Sequence, residues 1–592
     1  MNAPRTESAL VSRLLAGKDA VFERRDILLI AVLLAVLISL PMLFNGIYLD
    51  DYAQRIKLLT GDTNIFDNFG YGESLIPSGE LPWWLHPETR IVFFRPLAAW
   101  LTRFDYALFP NTLWLMHLHS VLWYGALVAV AGLLYRTFMP AAWAAGLAVV
   151  LFALDAPHGG AVAWLCNRNV LLSLMCGLLC LYCHRAAFTG QRLVAALLFA
   201  LALMAGESAL AISGYLLAYE LFISRERWGQ RFLRLLPYGV VGVAYLSFWR
   251  QGGYGTFGPG FYIDPGHNPL LFVQEMLFRA PAYLASQFFP PPAEVLGLLE
   301  VPPARALALY PTLLYVLVLV GLLGWFFWPL LRNSAAARFY ALGMLIALLP
   351  LSGITMVSRV LWYVGFGATG LLALYVHEYR QGHFGLHERR YSQLFLGLML
   401  VLHLWLSPLL YLVHGQALEL LDRQWDTQVV KLPNAVGQDR HVLLLSCNNY
   451  ITDVTFPLLK DKAFSLGSAP SRPVPAIHQI FALAESLTPY TLTRPAADTL
   501  VLQVTQPEGL SSLRLPTYGF APGEVVHYEG VVIEVLAVST AGNPTGIRYR
   551  FKPGELDRYE VMEWQNKQFV PAQLPAVGGS LVIRTNRTNQ AM

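Results

Sequence analysis

Two adjacent carboxylates, Asp50 and Asp51, lie in the stretch GIYLDDYAQ, directly after the apolar run Ile27 to Phe44. A carboxylate can orient the hydroxyl group of an acceptor molecule or remove its proton. Isolated arginines occur further along the chain at Arg95, Arg168 and Arg359, and a guanidinium group can hold a phosphate through two parallel hydrogen bonds. These residue types suit acid–base chemistry on a substrate that carries a phosphate.

The composition of the chain indicates whether most of its residues lie in water or in lipid. The chain has 592 residues, of which 55% are hydrophobic and only 14% are charged, and its mean hydropathy is +0.47. Soluble domains carry roughly 25% charged residues. The net charge of +4 is small, and no basic run with interleaved aromatic residues occurs, so a nucleic-acid partner is not expected. Lipid is therefore the expected surroundings for most of the chain.

Hydropathy predicts a polytopic α-helical membrane protein with about eleven spans. Arginines and lysines recur in alternate gaps between the spans, which places the N-terminal residues 1–26 in the cytoplasm and predicts a retained first span rather than a cleaved signal peptide. The predicted membrane domain covers residues 27–413. Its apolar windows are 27–44, 113–135, 141–154, 170–183, 193–205, 209–223, 235–248, 309–331, 339–351, 360–376 and 394–413.

This topology brings many polar residues to the outer face of the membrane. Asp50 and Asp51 stand at the head of a long outer loop, 45–112, and a second large outer loop covers 249–308. Ionisable groups at the edge of a bilayer are costly to bury and are functional candidates by default. A sugar carried on a lipid phosphate would use both the carboxylates and the arginines. The other polar candidates on this face are Arg95, Asp155, His158, Arg168, Glu207 and Arg359.

Residues 414–592 have a different character and predict a soluble, β-rich domain on the outer side. Short runs of β character, separated by turn signals, are His441–Leu445, Thr499–Val504, Val525–Val538, Gly546–Phe551 and Ser580–Arg584. A short helix is expected near Ala476–Leu487. The residues of this domain do not indicate its function.

Four segments of the chain resemble the membrane part of the GT-C class of glycosyltransferases, in particular O-mannosyltransferase-like proteins. They are FFRPLAAWLTRFDYALF, LFALDAPHGGAVAWLCNRNVLL, ALMAGESALAISGYLLAYELF and SRVLWYVGFGATG. The resemblance covers roughly residues 25–375. It implies a bacterial inner-membrane enzyme that moves a sugar from a polyprenyl-phosphate donor to an envelope acceptor, which is a glycan, a lipid or a protein, with inversion at the anomeric carbon.

The resemblance also implies roles for individual residues. The acidic pair would be the catalytic centre, with Asp51 favoured over Asp50 as the base. Three arginines would neutralise the donor phosphate or shape its site, and four further residues would bind the substrate or line and brace the cleft. The arginines are Arg95, Arg168 and Arg359, and the further residues are Asp155, His158, Trp164 and Glu207.

The chain departs from the family pattern at several positions. Asp155 stands where the family often has His, Gly160 stands where it often has Glu, and Gly206 replaces a Lys. Asn169-Val170 follows Arg168 in place of Lys-Asp. These differences leave the acceptor open. They also leave open whether the acidic pair holds a divalent cation, and no cofactor is assigned.

Other interpretations remain. The acidic pair could cap a helix N-terminus, since Asp is a good cap. The whole protein could be a transporter of a lipid-linked sugar, which needs the arginines but no base, or a non-catalytic assembly protein of the envelope. Cys180-Leu-Tyr-Cys-His184 matches a haem-attachment pattern. It ends a span on the predicted cytoplasmic side, however, so we expect neither haem nor a metal there.

Overall fold

The structure is a computed structural model that describes residues 26–584 with internal gaps. The gaps are 62–63, 65, 67–68, 72–80, 186–188, 259–261, 299–303, 384–385, 430–439, 448, 468–476, 486–487, 507–508, 511–513, 515–517, 529 and 567. By its internal contacts the chain forms two compact units. The first unit is Met1–Ile47, Phe94–Gly253 and Ile263–Leu418, and the second is Tyr48–Phe93, Tyr254–Tyr262 and Glu419–Met592.

Helices account for most of the described chain up to residue 429. They are α1 (Ile27–Ser39), α2 (Asp50–Leu59), α3 (Pro96–Leu108), α4 (Leu113–Phe138), α5 (Ala142–Ala153), α6 (Pro157–Ala163), α7 (Arg168–His184), α8 (Thr189–Ala205), α9 (Ile212–Ala218), α10 (Trp228–Gln251), α11 (Pro269–Phe288), α12 (Ala293–Gly297), α13 (Ala304–Asn333), α14 (Ala335–Leu351), α15 (Trp362–Gln381), α16 (Leu386–Val401), α17 (Ser407–Val429) and α18 (Phe456–Gly467).

The structure confirms the prediction of several apolar helices that suit a membrane, but it does not confirm the predicted number of spans. All eleven apolar windows lie in helical stretches, but among the described residues only six helices are long and apolar enough to cross a bilayer. A seventh arises if α5 and α6, which meet at a bend of 54°, form one broken span. The expected count of eleven is not reached, partly because α8 and α14 have only 17 residues. These helices support a membrane-embedded protein.

The centre of the first unit is built from helices that are apolar on every side. Nearly every residue of α5 and α15 is buried, whereas α10 and α13 expose large apolar side chains such as Phe232 and Leu314. A helix that is hydrophobic all round belongs in a core or in lipid. Glycines allow close packing at the centre, because a Cβ on Gly343 would lie 2.2 Å from Tyr215 Cδ1.

Strands form the second unit, as the sequence predicts for its C-terminal part. They are β1 (Phe69–Tyr71), β2 (Arg90–Phe93), β3 (Gly255–Phe257), β4 (Arg440–Leu444), β5 (Ile477–Ala482), β6 (Tyr490–Ala496), β7 (Thr499–Val504), β8 (Val525–Tyr528), β9 (Val531–Val538), β10 (Pro544–Phe551), β11 (Tyr559–Gln565), β12 (Gln568–Pro571) and β13 (Ser580–Ile583). The expected helix near Ala476–Leu487 is wrong, because its described central part is strand β5.

The strands make three sheets. An antiparallel six-stranded sheet has the order β13-β6-β7-β10-β9-β8, and a mixed four-stranded sheet has the order β12-β11-β4-β5. In the mixed sheet β4 is parallel to both β5 and β11, and α18 connects β4 to β5, as a parallel pair requires. The three-stranded sheet β1-β2-β3 draws its strands from the two segments that the sequence predicted as outer loops.

Two tryptophans from the first predicted loop lie in the core of the second unit. Trp83 and Trp84 are 2% and 3% exposed and pack with residues of the C-terminal sheets. The indole Nε1 of Trp83 donates a hydrogen bond to the carbonyl oxygen of Ala482, at 3.1 Å. The second unit is therefore assembled from three separate stretches of the chain.

A buried carboxyl lies where β4 and β5 end. Glu485 is 5% exposed, its backbone forms a parallel bridge with Cys447, and its Oε1 accepts the N–H of Tyr450 at 3.2 Å. Burial raises the pKa of Glu485 to about 7, and the charge of Asp453 adds to this effect, while the Tyr450 hydrogen bond opposes it. The protonated carboxylic acid is thus the form that the fold prefers.

We expect this pKa to make the stability of the second unit fall as pH rises. The folded state binds the Glu485 proton more tightly than the unfolded chain, so its contribution is intact below about pH 4.5, the ordinary pKa of Glu, and is lost as pH rises through 7. At 1.36 kcal/mol per pH unit, the loss is roughly 3 kcal/mol. Thermal unfolding at pH 5 and pH 8 should show the decline in the wild type and a much weaker one in Glu485→Gln. Equal slopes would contradict the assignment.

Candidate functional site

The acidic pair begins helix α2 in the second unit. Asp51 is 2% exposed and Asp50 is half-buried. The Oδ2 atom of Asp51 accepts the backbone N–H of Tyr48 at 3.1 Å. Tyr48 precedes the helix, and the N-cap position is held by Leu49, which makes no side-chain cap hydrogen bond, so neither Asp50 nor Asp51 is the N-cap of α2. The negative charges also suit the positive end of the helix dipole.

The backbone just before the acidic pair is in an unusual conformation. Leu49 has φ 51° and ψ −114°, and a bulky residue with positive φ is a genuine outlier. Such strain costs of order 1–3 kcal/mol and clusters at functional sites. The chain therefore enters α2 through a turn that is held by its surroundings.

Arg168, in the first unit, is fully engaged by protein atoms. It is 4% exposed; its Nε donates to Ser120 Oγ at 2.9 Å, and one terminal nitrogen donates to the Met116 carbonyl at 2.8 Å. The other terminal nitrogen pairs with the Asp105 carboxylate. Every guanidinium nitrogen thus has a partner, which favours a structural role over phosphate binding. The predicted phosphate role of Arg168 stays a prediction.

Asp105 is a residue that the sequence analysis missed. It is 2% exposed and also receives a hydrogen bond from His119 Nδ1, at 2.6 Å. Trp123 Nε1 donates to His119 Nε2 at 2.9 Å. Because an indole only donates, this contact fixes the His119 proton on Nδ1. Asp105 lies inside FFRPLAAWLTRFDYALF, one of the segments that carry the family resemblance, but the resemblance implied no role for it.

Arg95 and Glu207 form an ion pair within the first unit, with Arg95 Nε 2.9 Å from Glu207 Oε2. Both side chains are partly exposed. Glu207 directly follows Gly206, where helix α8 ends. The structure thus brings together two of the predicted site residues, and the carboxylate neutralises part of the charge that Arg95 would offer to a phosphate.

Arg359 differs from the other two arginines. Its guanidinium carbon lies 4.6 Å from the ring centroid of Trp164, a cation–π contact. Among the residues that the structure describes, no carboxylate pairs with Arg359. Arg359 and Trp164, both predicted site residues, therefore come together and present a guanidinium whose charge is not neutralised.

A cavity that is open to solvent lies near Arg359 within the first unit, and its empty space, open solvent included, is about 460 Å³. Arg359 itself is not among the residues that line it. The wall of the cavity includes Ser358 and His414, and a Cβ on Gly160 would lie 3.9 Å from Arg359 Cβ and 4.0 Å from His414 Cβ. Both apolar and polar residues line the cavity. The apolar ones include Phe288, Phe289, Pro290, Pro292, Leu402, Leu406 and Leu410, and the polar ones include Asp155, Ser286, Gln287, His403 and Ser407.

Two buried polar atoms in the lining of this cavity have no hydrogen-bond partner among the described residues. The Asp155 carboxylate accepts hydrogen bonds from the amide nitrogen of Gln287 at 3.0 Å and 3.3 Å. Gln287 is 4% exposed, and neither its Oε1 nor Ser286 Oγ has a partner in the part of the chain that the structure describes. Buried polar groups normally have partners. A ligand that donates hydrogen bonds, such as a polyhydroxyl group, would complete the set.

His158 lies next to Asp155, which is one of the residues that line the cavity. It is fully buried, its ring stacks on Trp362 with centroids 3.9 Å apart, and its Nδ1 is 3.1 Å from the Tyr124 hydroxyl. Its Nε2 lies 3.9 Å from Asp155 Oδ2. These contacts place His158 next to Asp155 rather than in the lining of the cavity.

The described residues contain no group of three or more His, Cys, Asp or Glu side chains that could hold a metal ion. In the C-x-x-C-H stretch, His184 instead bonds the Tyr238 hydroxyl at 2.9 Å and Glu220 Oε1 at 2.8 Å. A divalent cation at the acidic pair stays a prediction.

Comparison with known proteins identifies no family. A scan against protein-family models and a search of curated proteins both found no match to this chain.

The Arg168 network predicts a specific pattern of stability. Arg168→Met would leave the buried Asp105 carboxylate with its His119 hydrogen bond but without its cationic partner, and we expect a loss of about 3–5 kcal/mol. Asp105→Leu combined with Arg168→Met removes both charges and should recover much of that loss. The measurement is thermal unfolding of the detergent-solubilised protein. An Arg168→Met variant that unfolds like the wild type would argue against the structural role and restore the phosphate role.

Proposed function

We propose that the protein is an integral membrane glycosyltransferase that moves a sugar from a polyprenyl-phosphate donor to an acceptor hydroxyl of the cell envelope. The observation that carries the proposal is the guanidinium of Arg359, which lies on Trp164 and has no carboxylate partner among the described residues. The preceding residue, Ser358, lies in the wall of a cavity lined by both polar and apolar residues. A lipid-linked sugar has an anionic phosphate, hydrogen-bond-donating hydroxyls and an apolar tail. Each part matches one of these features.

In the proposed reaction the acceptor oxygen attacks the anomeric carbon of the sugar from the face opposite the phosphate. The bond between the anomeric carbon and the phosphate oxygen breaks, and its electron pair leaves on polyprenyl phosphate. Asp51, or Asp50, takes the proton of the acceptor hydroxyl. Arg359 stabilises the charge that builds on the departing phosphate, where a fixed positive group is most effective.

The substrate groups are assigned to residues of this chain in the same proposal. Sugar hydroxyls would donate to Gln287 Oε1 and to the Asp155 carboxylate, and Ser286 Oγ would take part in the same network. The prenyl tail would pack against Phe288, Phe289 and the leucines that line the cavity. The expected reaction takes place on the outer face of the membrane, with the N-terminus in the cytoplasm.

Transport of a lipid-linked sugar is the second candidate. The hydrogen bond from the Tyr48 N–H to Asp51 is a structural use for Asp51, and a transporter would need Arg359 and the cavity but no base. It would move labelled donor across a vesicle membrane and form no new glycosidic bond.

The first test replaces the arginine. Arg359→Ala should lower transfer at least about 100-fold, since the loss of a charge-assisted contact to a developing oxyanion is typically worth 10²–10³ in rate. The assay follows release of polyprenyl phosphate from a panel of polyprenyl-phosphate sugars, with cell-envelope membranes as acceptor. Arg380→Ala is the matched control, because Arg380 makes the same kind of contact, 4.5 Å from the ring centroid of Trp143. An equal effect of both variants would count against a specific role for Arg359.

The second test removes the proposed base. Asp51→Asn and Asp50→Asn keep the size of each side chain and, at Asp51, an oxygen that can accept the Tyr48 N–H. We expect Asp51→Asn to lose at least about 100-fold in transfer, within the range of general base catalysis, and Asp50→Asn to lose less. Mass spectrometry of envelope lipids, glycans and proteins from cells that make each variant should show the product disappear. A double variant with full transfer would exclude the base, and one that still moves donor across vesicles without transfer would favour transport.

A further inference from the structure

Two tyrosines bracket the acidic pair and bond to carboxylates far along the chain. The Tyr48 hydroxyl donates to Glu419 Oε2 at 2.6 Å, and the Tyr52 hydroxyl donates to Asp422 Oδ1. Glu419 and Asp422 are three residues apart on α17, a spacing that places both side chains on one face of that helix. Tyr48 precedes α2, which begins at Asp50, and Tyr52 lies in its first turn. Two phenol–carboxylate bonds therefore join the start of α2 and the turn before it to the second-unit part of α17.

Each accepting carboxylate is held by a cation. Lys460 Nζ lies 2.6 Å from Asp422 Oδ2, and Arg423 Nε donates to Glu419 Oε1 at 2.8 Å. Hydrogen bonds to ionised groups are shorter and stronger than neutral ones. Each carboxylate therefore has one oxygen bonded to a cation and the other bonded to a tyrosine hydroxyl.

The rest of α2 is also held by the C-terminal chain. Arg55 is 3% exposed, its Nε donates to the Ala463 carbonyl at 3.1 Å, and its guanidinium lies 5.6 Å from the ring centroid of Phe464. The Tyr52 ring meets the same Phe464 ring edge-on at 6.3 Å. Tyr52 and Arg55 therefore pack α2 directly against α18.

We propose that Tyr48 and Tyr52 are positioning residues for the acidic pair, and that Glu419 and Asp422 are their anchors in the C-terminal chain. The two bonds fix the rotation of α2 about its axis and so fix the direction of the Asp50 and Asp51 carboxylates. They also hold the strained turn at Leu49, which would otherwise relax. This inference rests on the proposed function, because it assigns the positioned carboxylates to catalysis.

Substitution of each tyrosine by phenylalanine removes one hydroxyl and keeps the ring. In Tyr48→Phe and Tyr52→Phe we expect the rate at saturating polyprenyl-phosphate sugar to fall on the order of 10-fold, because small misplacement of a catalytic group is costly. KM for the donor should stay within about twofold, because the residues proposed to bind the donor, Asp155, Gln287 and Arg359, are unchanged and belong to the other unit. Backbone amides of Asp50–Leu59 should exchange hydrogen faster.

Conservative and paired variants separate positioning from general stability. Asp422→Asn keeps an acceptor for Tyr52 and should retain most of the activity, whereas Asp422→Leu should not. The double variant Tyr52→Phe with Asp422→Leu should be no worse than Asp422→Leu alone, because both changes break the same bond. The matched control is Tyr528→Phe, which removes a hydrogen bond of 3.0 Å to the Ile480 carbonyl within the same unit and should leave the rate unchanged.

The outcomes are distinguishable. Wild-type rate and wild-type amide exchange in both tyrosine variants overturn the inference and leave the proposed glycosyltransferase standing. An equal fall in rate for Tyr528→Phe overturns the positioning role in favour of general destabilisation. If the wild-type protein transfers no sugar, the proposed function and the catalytic role of the tyrosines both fall. The exchange of residues 50–59 still decides whether the tyrosines hold the helix.

Discussion

The burial of charge in an apolar helical interior is the constraint on which the first unit depends. An ionised side chain in such surroundings costs several kcal/mol unless a partner compensates it. Asp105 on α3 meets Arg168 on α7, and Glu220 meets Arg234 of α10 at 3.1 Å. Asp155, at the bend between α5 and α6, meets the amide of Gln287 on α11. Each pair joins different elements, so the same contacts that make buried charge tolerable also fix how the helices pack.

Hydropathy alone was enough to find the long apolar helices, because a long apolar run has few other stable structures in lipid. It missed α11 (Pro269–Phe288), which lies in the segment 249–308 that was predicted as an outer loop. It also overcounted the spans, since it does not show where a helix stops short or breaks. The predicted window 209–223 lies within Glu207–Ile223, which is a succession of 3₁₀, α and π turns. Strands such as Thr499–Val504 were predicted with their observed bounds, because alternation of apolar and polar residues directly reports a half-buried strand.

The site was only partly visible in the sequence. Arg359 and Trp164 were found through their motifs, and the structure places them together. Gln287 and Asp105 were missed, because a single polar residue in an apolar helix looks the same whether it faces a cavity, a partner or the helix surface. The one available signal was their isolation among apolar and aromatic neighbours, as in AYLASQFFP.

The composite second unit could not be read from local patterns at all. Trp83 and Trp84 pack in a core whose other residues lie roughly four hundred positions later, and the Tyr48–Glu419 bond spans 371 residues. Neither periodicity nor turn signals carry information about such pairs. These contacts also order the assembly of the protein. The segment that carries the acidic pair gains its anchors only when the chain beyond Glu419 is present, and long-range contacts of this kind form slowly.

Arg359 is informative because it differs from the two other arginines that the sequence predicted for the site. Every guanidinium nitrogen of Arg168 donates to a protein group, and Arg95 pairs with Glu207. Among the described residues, Arg359 contacts the face of Trp164 and no carboxylate, and a cation–π contact stabilises a cation by about 0.5–2 kcal/mol without neutralising it. A guanidinium kept in this state is already oriented and does not have to leave a carboxylate before it meets an anion. Preorganised charge of this kind is most valuable where negative charge develops during a reaction, and an anion that arrives with a sugar and a prenyl tail would find its remaining partners in the adjoining cavity.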